Sequence, residues 1–537
     1  MHRETQVFYS VYVRSFNDSN NDGIGDLDGI TARLDYLSWL GVDGIIISPI
    51  FLSPQTDFGF DVTDHEAIQP ELGDFPALKK LVDSAHKVGI KVLMELVINH
   101  TSDQHPWFRQ SLKDKSNPKA DWYVWADAKP DGTPPNNWQC IFGSSAWRWH
   151  PSRGQYFLHN TFSNQPDLNF HHPAVQDAVL AMIEGWLKHG IDGFRIDSVN
   201  LLLHDEKLRS NPAKQLPMQS AERRDPRCYQ KQRYNLSRPD NIHVLRRIRG
   251  LCDQYGDKIL LGSLSDPDPF PVIDSYTSEG DALDAANLFE SLSLCTDMQE
   301  AGDHLSRFEH AVHPGMGCWS LSNHDIARTV SRWSQAGNQP EAARLLIAFL
   351  LSLRGILTVY QGEELGLCEA EVDESARQDK HGMQSAPGYH GRDGCRTPMP
   401  WHHEAANLGF SDGIPWLPPF EPHRPFTVDN QIRDPQSVLH FSRAFLAWRK
   451  EQPALQSGGQ RILAYNHALM VLERSHPNQT LICAFNASPV PARVQLNLPS
   501  GASGFDAPQT GASEAVLEGD VLLLGPWQAW FGIPGAN

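Results

Sequence analysis

The run Gly193-Phe194-Arg195-Ile196-Asp197 closes a short apolar stretch that follows an amphipathic helical pattern. An Asp leaving the end of a buried strand, two residues after an Arg, is set for chemistry. The nearby cation lowers its pKa and holds the carboxylate ionised. An ionised carboxylate in a sugar-sized pocket can attack an anomeric carbon. Alone, such strand-end pairs are often structural. Three further segments carry the same character: Glu95-Leu96-Val97-Ile98-Asn99-His100, Leu261-Gly262-Ser263-Leu264 and Ser322-Asn323-His324-Asp325. Two strand-end carboxylates, two His and an Arg in one pocket suit glycoside cleavage. His100 and His324 would hydrogen-bond hydroxyls, and Asp325 would grip a hydroxyl pair.

Those segments meet only if the chain gathers its strand ends. Over the first 450 residues, short apolar runs alternate with helical patterns. Val7 to Val13 reads as a strand, Ile30 to Leu40 as a helix, Gly44 to Pro49 as a strand, Phe75 to Val88 as a helix and Ile90 to Ile98 as a strand. Alternating β and α units imply a parallel sheet covered by helices. At this length they predict an α/β fold, a (β/α)8 TIM barrel built from residues 1–100 and 173–455. Residues 101–172, rich in Trp, Pro, Asn and Gly and without helical period, predict an inserted, loop-rich domain. A helix restarts at His172-Pro173, with Val175, Val179, Met182, Ile183 and Trp186 on one face. Two further interruptions, about 201–239 and 368–423, follow the presumed fourth and eighth strands. All three would sit at the strands' carboxyl face, where barrel enzymes build their sites. Residues 456–537 read as short strands between turns, a C-terminal antiparallel β-sandwich domain.

Composition excludes several classes. Net charge is −18, from 46 basic and 64 acidic residues, so no basic stripe is available for nucleic acid. The longest apolar run, Leu345 to Leu353, is about half the ~20 residues that span a bilayer; it reads as a buried helix, not a membrane anchor. The eight cysteines show no C-x-x-C spacing, so neither zinc nor a redox dithiol is indicated. With no apolar signal segment at the N-terminus, reduced thiols and a cytoplasmic location are expected. The sequence leaves the oligomeric state open.

The loop Asp18-Ser19-Asn20-Asn21-Asp22-Gly23-Ile24-Gly25-Asp26 places oxygen ligands at alternate positions around a Gly turn. Ca2+ or Mg2+ takes such carboxylate, amide and carbonyl oxygens. The alternative is a solvated acidic turn.

The chain resembles the α-amylase family, glycoside hydrolase family 13, in its bacterial α-glucosidase and oligo-1,6-glucosidase group. The motifs that carry this are Arg14-Ser15-Phe16, Asp57-Phe58-Gly59-Phe60-Asp61, Asn99-His100-Thr101-Ser102, Gln165-Pro166-Asp167-Leu168-Asn169, Gly193 to Asp197, Ser322 to Asp325, Gln361-Gly362-Glu363-Glu364 and Gly391 to Trp401. The resemblance implies a retaining double displacement on a small sugar substrate, with Asp197 as nucleophile and Asp325 as transition-state stabiliser. Asp57, Phe60, His100, Arg195, His324 and Arg392 would line the glucose pocket, and the aromatic-rich insertion would be the family's domain B. It also implies a structural divalent cation on Asp18, Asn20, Asp22, the Ile24 carbonyl and Asp26, and no organic cofactor.

The chain departs from the family at telling places. The general-acid Glu of the fifth strand is Ser263, which cannot donate a proton near neutral pH; a positioned acid is worth roughly 10²–10⁴ in rate. Asp266, three residues on, is a remote substitute. The usual Tyr under the sugar is Phe60, and the usual third-strand Asp is Glu95. Ser198, after the nucleophile, tilts the family resemblance toward α-1,4 linkages. The expected function is therefore an α-glucosidase for terminal α-linked glucose of short malto-oligosaccharides or α-glucosides, with transglucosylation, impaired at Ser263. The alternative is an acid-deficient sugar-binding relative with little turnover. A structural subunit of a membrane transporter would need a membrane-spanning helix.

Overall fold

Eight parallel strands form the centre of the molecule: β1 (Val7–Val11), β2 (Gly44–Ile47), β3 (Lys91–Leu96), β4 (Gly193–Ile196), β5 (Ile259–Leu264), β6 (Ala285–Leu288), β7 (Cys318–Trp319) and β8 (Ile356–Tyr360). The computed structural model describes residues 5–215, 229–288, 292–334, 340–379, 391–496, 503–510 and 515–534. Cys228 and parts of the second and third interruptions lie outside the described residues. The strand order is β6-β5-β4-β3-β2-β1-β8-β7, and a parallel bridge between Ala286 and Gly317 joins the two ends. The sheet closes as the expected barrel.

Strand periodicity sorts the side chains. Phe8, Ile46, Leu93, Ile259, Leu261, Ala285, Cys318 and Ile356 pack together inside the barrel. Val7, Tyr9, Ile45, Ile47, Val92 and Leu260 point outward into the layer beneath the helices. Two positions further along the inward face, the residue types change to Glu95 after Leu93, Arg195 after Gly193 and Ser263 after Leu261. The register sets Arg195 opposite both Glu95 and Leu261. Gly193 permits this approach: its φ is 155°, and a Cβ there would lie 1.9 Å from the Ile259 carbonyl oxygen.

Several elements differ in detail from expectation. The strand predicted to Val13 stops at Val11 and turns into a 3-10 segment, Val13–Ser15. The helix predicted over Ile30 to Leu40 is two, Leu27–Ala32 and Leu34–Leu40, broken at Arg33. It begins earlier because the Asp26 side chain caps it, accepting from the Gly29 amide. Residues 101–172 contain a helix, Pro106–Ser111, too short for its period to be seen in sequence. They also contain a three-stranded antiparallel sheet of Trp125–Ala126, Gln155–Leu158 and Trp147–His150. Trp138, Trp147, Val124 and Leu158 form its core. Trp138 Nε1 donates to the Arg209 carbonyl at 2.9 Å and Asn136 Nδ2 to the Leu208 carbonyl at 3.0 Å, so the first insertion is tied to the second.

The helix Pro173–Lys188 starts where expected, capped by His172, with Val175, Val179, Met182, Ile183 and Trp186 buried. The run Leu345 to Leu353 falls, all but its last residue, in the buried helix Pro340–Ser352. Among the described residues no helix is long and apolar enough to cross a membrane.

Beyond residue 456 a five-stranded antiparallel sheet faces a three-stranded one. Leu469, Val471, Ile482, Ala484, Leu522, Leu524 and Trp530 fill the space between them. The opposite face of the larger sheet joins the barrel: Phe485 packs on Phe349 and Phe531 on Phe445, with ring centroids 5.4 and 5.5 Å apart.

Candidate active site

The strand ends converge as required. Arg195 leaves β4 with its guanidinium against two neighbours. Nη1 donates to Glu95 Oε1, and Nη2 to Ser263 Oγ at 3.3 Å. Asp197 follows immediately, its amide bonded to the Leu96 carbonyl of β3 at 3.0 Å. Its Oδ2 accepts the Ser198 hydroxyl at 2.8 Å. Ser198 sits at φ 51°, a left-handed conformation that is strained for a non-glycine residue and is found where a site demands it.

The sequence reading made Arg195 the group that holds Asp197 ionised, and the structure corrects the balance. Burial raises the Asp197 pKa above the usual carboxylate value, although His100 and Arg195 both pull it down. Arg195 makes its hydrogen bonds to Glu95 and Ser263, not to Asp197. Glu95 is itself pushed up to about 7, chiefly by burial, with Arg195 opposing and Asp197 and Asp325 adding to the rise. Its second oxygen, Oε2, is buried without a hydrogen-bond partner.

Across the pocket, Arg392 binds three carboxylates. Nη2 reaches Asp57 Oδ1 at 2.8 Å, Nη1 reaches Asp325 Oδ1 at 2.9 Å, and Nε reaches Asp379 Oδ2 at 2.7 Å. Arg396 Nη2 adds a second bond to Asp325 Oδ1 at 2.8 Å. Burial works against the Asp325 anion, yet the charges of Arg392 and Arg396 outweigh it and hold its carboxyl well below the ordinary range. Asp57 Oδ2 accepts Gln165 Nε2 at 2.9 Å.

His324 lies between the rings of Tyr12 and Phe60, with centroids 5.4 and 5.3 Å away. Its Nε2 is buried with no hydrogen-bond partner, 3.4 Å from Asp325 Oδ2. Burial lowers its pKa to about 3, so it is a neutral imidazole. His100 differs: its Nε2 is taken by the Phe60 carbonyl at 3.1 Å, and its Nδ1 lies 3.4 Å from Asn99 Nδ2. Asp266 lies beyond β5, where its carboxylate accepts the Ser237 hydroxyl and the Asp268 amide at 2.8 Å.

The sequence reading did not name Asp379, Arg396 or Gln165 as site residues. Arg396 and Gln165 lie inside motifs quoted above, where their contacts were the missing information. Asp379 lies in an irregular segment that carries no local signal.

The Asp18–Asp26 loop is wound by side chains. Asp18, Asn20 and Asp22 each accept from the backbone amide two residues on, at 3.0, 2.9 and 2.8 Å. Asp18 Oδ2 also accepts the Ser411 hydroxyl at 2.6 Å. Among the described residues no three His, Cys, Asp or Glu side chains group in a metal-holding cluster. The five candidate donors include an Asn amide and the Ile24 carbonyl, which lie outside such a cluster. An all-oxygen set on this loop fits a hard cation in chemistry.

A closed parallel barrel with carboxylates, arginines and a His gathered at the carboxyl face of its strands has the layout of a barrel-enzyme site. The catalytic-domain model of the α-amylase family matches residues 10–458, and the chain belongs to that family, in its α-glucosidase and oligo-1,6-glucosidase group. It is 46% identical over 496 residues to a probable α-glucosidase of Rhizobium meliloti (strain 1021), covering 91% of this chain and 90% of that protein. An oligo-1,6-glucosidase of Heyndrickxia coagulans is 33% identical, over 90% of this chain and 91% of the other. Among solved structures, an α-glucosyl transfer enzyme, XgtA, superposes with a TM-score of 0.94 at 44% identity, over 99% of each chain. The trehalulose synthase MutB of Pseudomonas mesoacidophila MX-45 does so at 0.87 and 29%, again over 99% of each.

Proposed function

We propose that the chain is a retaining α-glucosidase acting on terminal α-linked glucose of short α-glucosides, α-1,4 preferred, with transglucosylation. Its turnover is governed by the leaving group. The observation that carries this reading is the meeting of Asp197, Asp325, Arg195, Arg392 and His324 at one barrel mouth. In it, Asp197 attacks the anomeric carbon and forms a covalent ester. Asp325, kept anionic by Arg392 and Arg396, stabilises the positive charge that develops on the ring. His324 Nε2, stacked between Tyr12 and Phe60, is free to bond a hydroxyl. Ser263 stands where the family's proton donor belongs, so alkoxide leaving groups depart unaided.

The relatives' printed activities support the substrate class: α-glucosidase and oligo-1,6-glucosidase hydrolysis, and α-glucosyl transfer. No disulfide joins two of the described cysteines, in keeping with a reducing, cytoplasmic setting. A Ca2+ or Mg2+ ion held by Asp18, Asn20, Asp22, the Ile24 carbonyl and Asp26 would supply rigidity to the first loop and take no part in bond making.

The second reading, a sugar-binding relative without turnover, is favoured by the state of the other carboxylates. Asp57, Asp325 and Glu95 are all engaged with arginines. One comparison separates the two. Turnover of 4-nitrophenyl α-glucopyranoside with little of maltose supports the enzyme; loss on both supports the binding protein. Ser263→Glu is expected to raise kcat/KM for maltose by roughly 10²–10⁴ and to change the aryl glucoside far less. Equal response of both substrates would overturn the assignment of position 263.

A further inference from the structure

Asp325 stands on the loop that leaves β7, a strand of 2 residues, Cys318–Trp319. The loop's own bonds are local. The Asp325 amide donates to Asn323 Oδ1 at 2.8 Å, and the Ile326 amide reaches the Asn323 carbonyl at 3.5 Å. Its remaining backbone groups need partners from outside. Arg332, one turn into the helix Thr329–Ser334, supplies two of them. Nη2 donates to the Leu321 carbonyl and Nε to the Ala327 carbonyl at 2.9 Å. One guanidinium thus takes the carbonyls at both ends of the loop. Nη1 donates to the Cys295 carbonyl at 2.6 Å, in the segment that follows β6.

Glu363 makes a matching tie with the opposite sign. Its Oε1 accepts the Ser322 hydroxyl at 2.6 Å and the Thr329 hydroxyl at 2.7 Å. Its Oε2 accepts the Tyr360 amide at 2.9 Å, which anchors it to the end of β8. The base of the loop is therefore closed twice, by Arg332 through carbonyls and by Glu363 through hydroxyls. Its middle is held by Arg396, whose Nε donates to the His324 carbonyl at 2.6 Å. Arg392 and Arg396 touch the Asp325 carboxylate itself. The three contacts of Arg332 are all with carbonyls, so it acts through the backbone. A guanidinium is planar and its donors are fixed in a fork, so its two loop contacts set the distance between Leu321 and Ala327.

We propose that Arg332 is a positioning residue for the reaction: by closing the loop over 321–327 it sets where the Asp325 carboxylate stands against the sugar ring. The inference deepens the functional reading above and rests on Asp325 as its transition-state stabiliser. Arg392 and Arg396 keep that carboxylate anionic, but both come from one separate segment, and a loop open at its base can follow them away from the ring. Positive charge develops on the ring only in the transition state. A displaced Asp325 therefore costs the chemical step more than it costs sugar binding. A misplacement of about 1 Å in such a group is worth roughly 10²-fold in rate.

The test uses full chains on 4-nitrophenyl α-glucopyranoside: the parent, Arg332→Ala, Arg332→Lys, Asp325→Asn and the double variant of Arg332→Ala with Asp325→Asn. Arg332→Ala is expected to lower kcat roughly 10–10²-fold and to move KM less than about three-fold. The Arg332 side chain is half-buried, so added guanidinium chloride should restore part of the lost kcat. Arg332→Lys keeps the charge without the fork and should fall between parent and Arg332→Ala; it carries the test if Arg332→Ala does not fold. On the Asp325→Asn background the loss should shrink to about two-fold or less, because residues that act as a unit are not additive. Arg474→Ala is the control for stability alone. Its side chain caps the Ser352 and Gly458 carbonyls at the junction with the C-terminal sheet, and it should lose melting temperature while keeping kcat. Full additivity of Arg332→Ala with Asp325→Asn, parental kcat in the Arg332 variants, a rise in KM with kcat kept, or an equal kcat loss in Arg474→Ala would each overturn the proposal and leave a retaining enzyme in place. No nitrophenolate release by the parent chain would overturn the functional reading itself, and this inference with it.

Discussion

At the scale of single residues, the site is decided by which carboxylate each arginine holds. Arg195 and Asp197 were legible as a chemical pair because strand-end spacing exposes them. Their division of labour was not, because it depends on Glu95 lying opposite Arg195 in a neighbouring strand. Glu95 has a testable cost. Its pKa rises from 4.5 to about 7, which corresponds to about 3 kcal/mol. For an acid whose pKa is higher folded than unfolded, the folded chain holds the proton more tightly. This contribution is therefore present in full below 4.5 and is lost as pH rises through about 7. Glu95→Gln is expected to remove that part of the fall in stability between pH 5 and 8, read as the difference in denaturation profiles between variant and parent. Parallel profiles would mean that Glu95 does not titrate in this range. A second expectation concerns catalysis. With the aryl glucoside, kcat/KM should rise on an acidic limb as Asp197 ionises, displaced upward by its burial. If Ser263 occupies the acid position as proposed, it should show no alkaline fall. An alkaline limb in the parent chain would point to another proton donor.

At the scale of elements, the barrel strands were readable because period-two burial and turn residues are local properties. The insertion over 101–172 was readable only as irregular. Its strands are two to four residues long, and they gain stability from a buried Trp pair and from bonds to residues some 70 positions away. Trp138 stacks on Trp147, 5.8 Å between centroids, and donates to Arg209. Trp138→Ala should cost about 3–5 kcal/mol locally. It should loosen the first insertion where it is tied to the second, seen as faster hydrogen exchange over 124–158 and a higher KM. Unchanged exchange would show that this core is held by other contacts. The motif Gln165-Pro166-Asp167-Leu168-Asn169 also gains a physical meaning here. Gln165 fixes Asp57, and Asp167 pairs across a bridge with His100.

At the scale of the whole molecule, the layer around the barrel and one face of the larger C-terminal sheet share one continuous core. Arg474 is fully buried at their junction, donating to the carbonyls of Ser352 and Gly458 at 2.6 and 3.0 Å. Leaving such carbonyls unsatisfied costs about 1–3 kcal/mol each. Arg474→Ala should lower the melting temperature by several degrees while kcat on the aryl glucoside is kept; an unchanged melting temperature would show that water replaces the guanidinium. The first loop invites a parallel experiment. Chelation should lower the melting temperature, and Ca2+ or Mg2+ should restore it; identical melting with and without chelator would remove the ion from the account. What the sequence determined alone was the barrel and the antiparallel C-terminal sheet, because burial period is written along the chain; it named candidate residues, but not Asp379, Arg396 or Gln165. What only the tertiary structure decided was which charges touch: Arg195 on Glu95 and Ser263, Arg392 on Asp57, Asp325 and Asp379. Those pairings join residues up to 335 positions apart, and the energy of a buried charge is set by its neighbours in space.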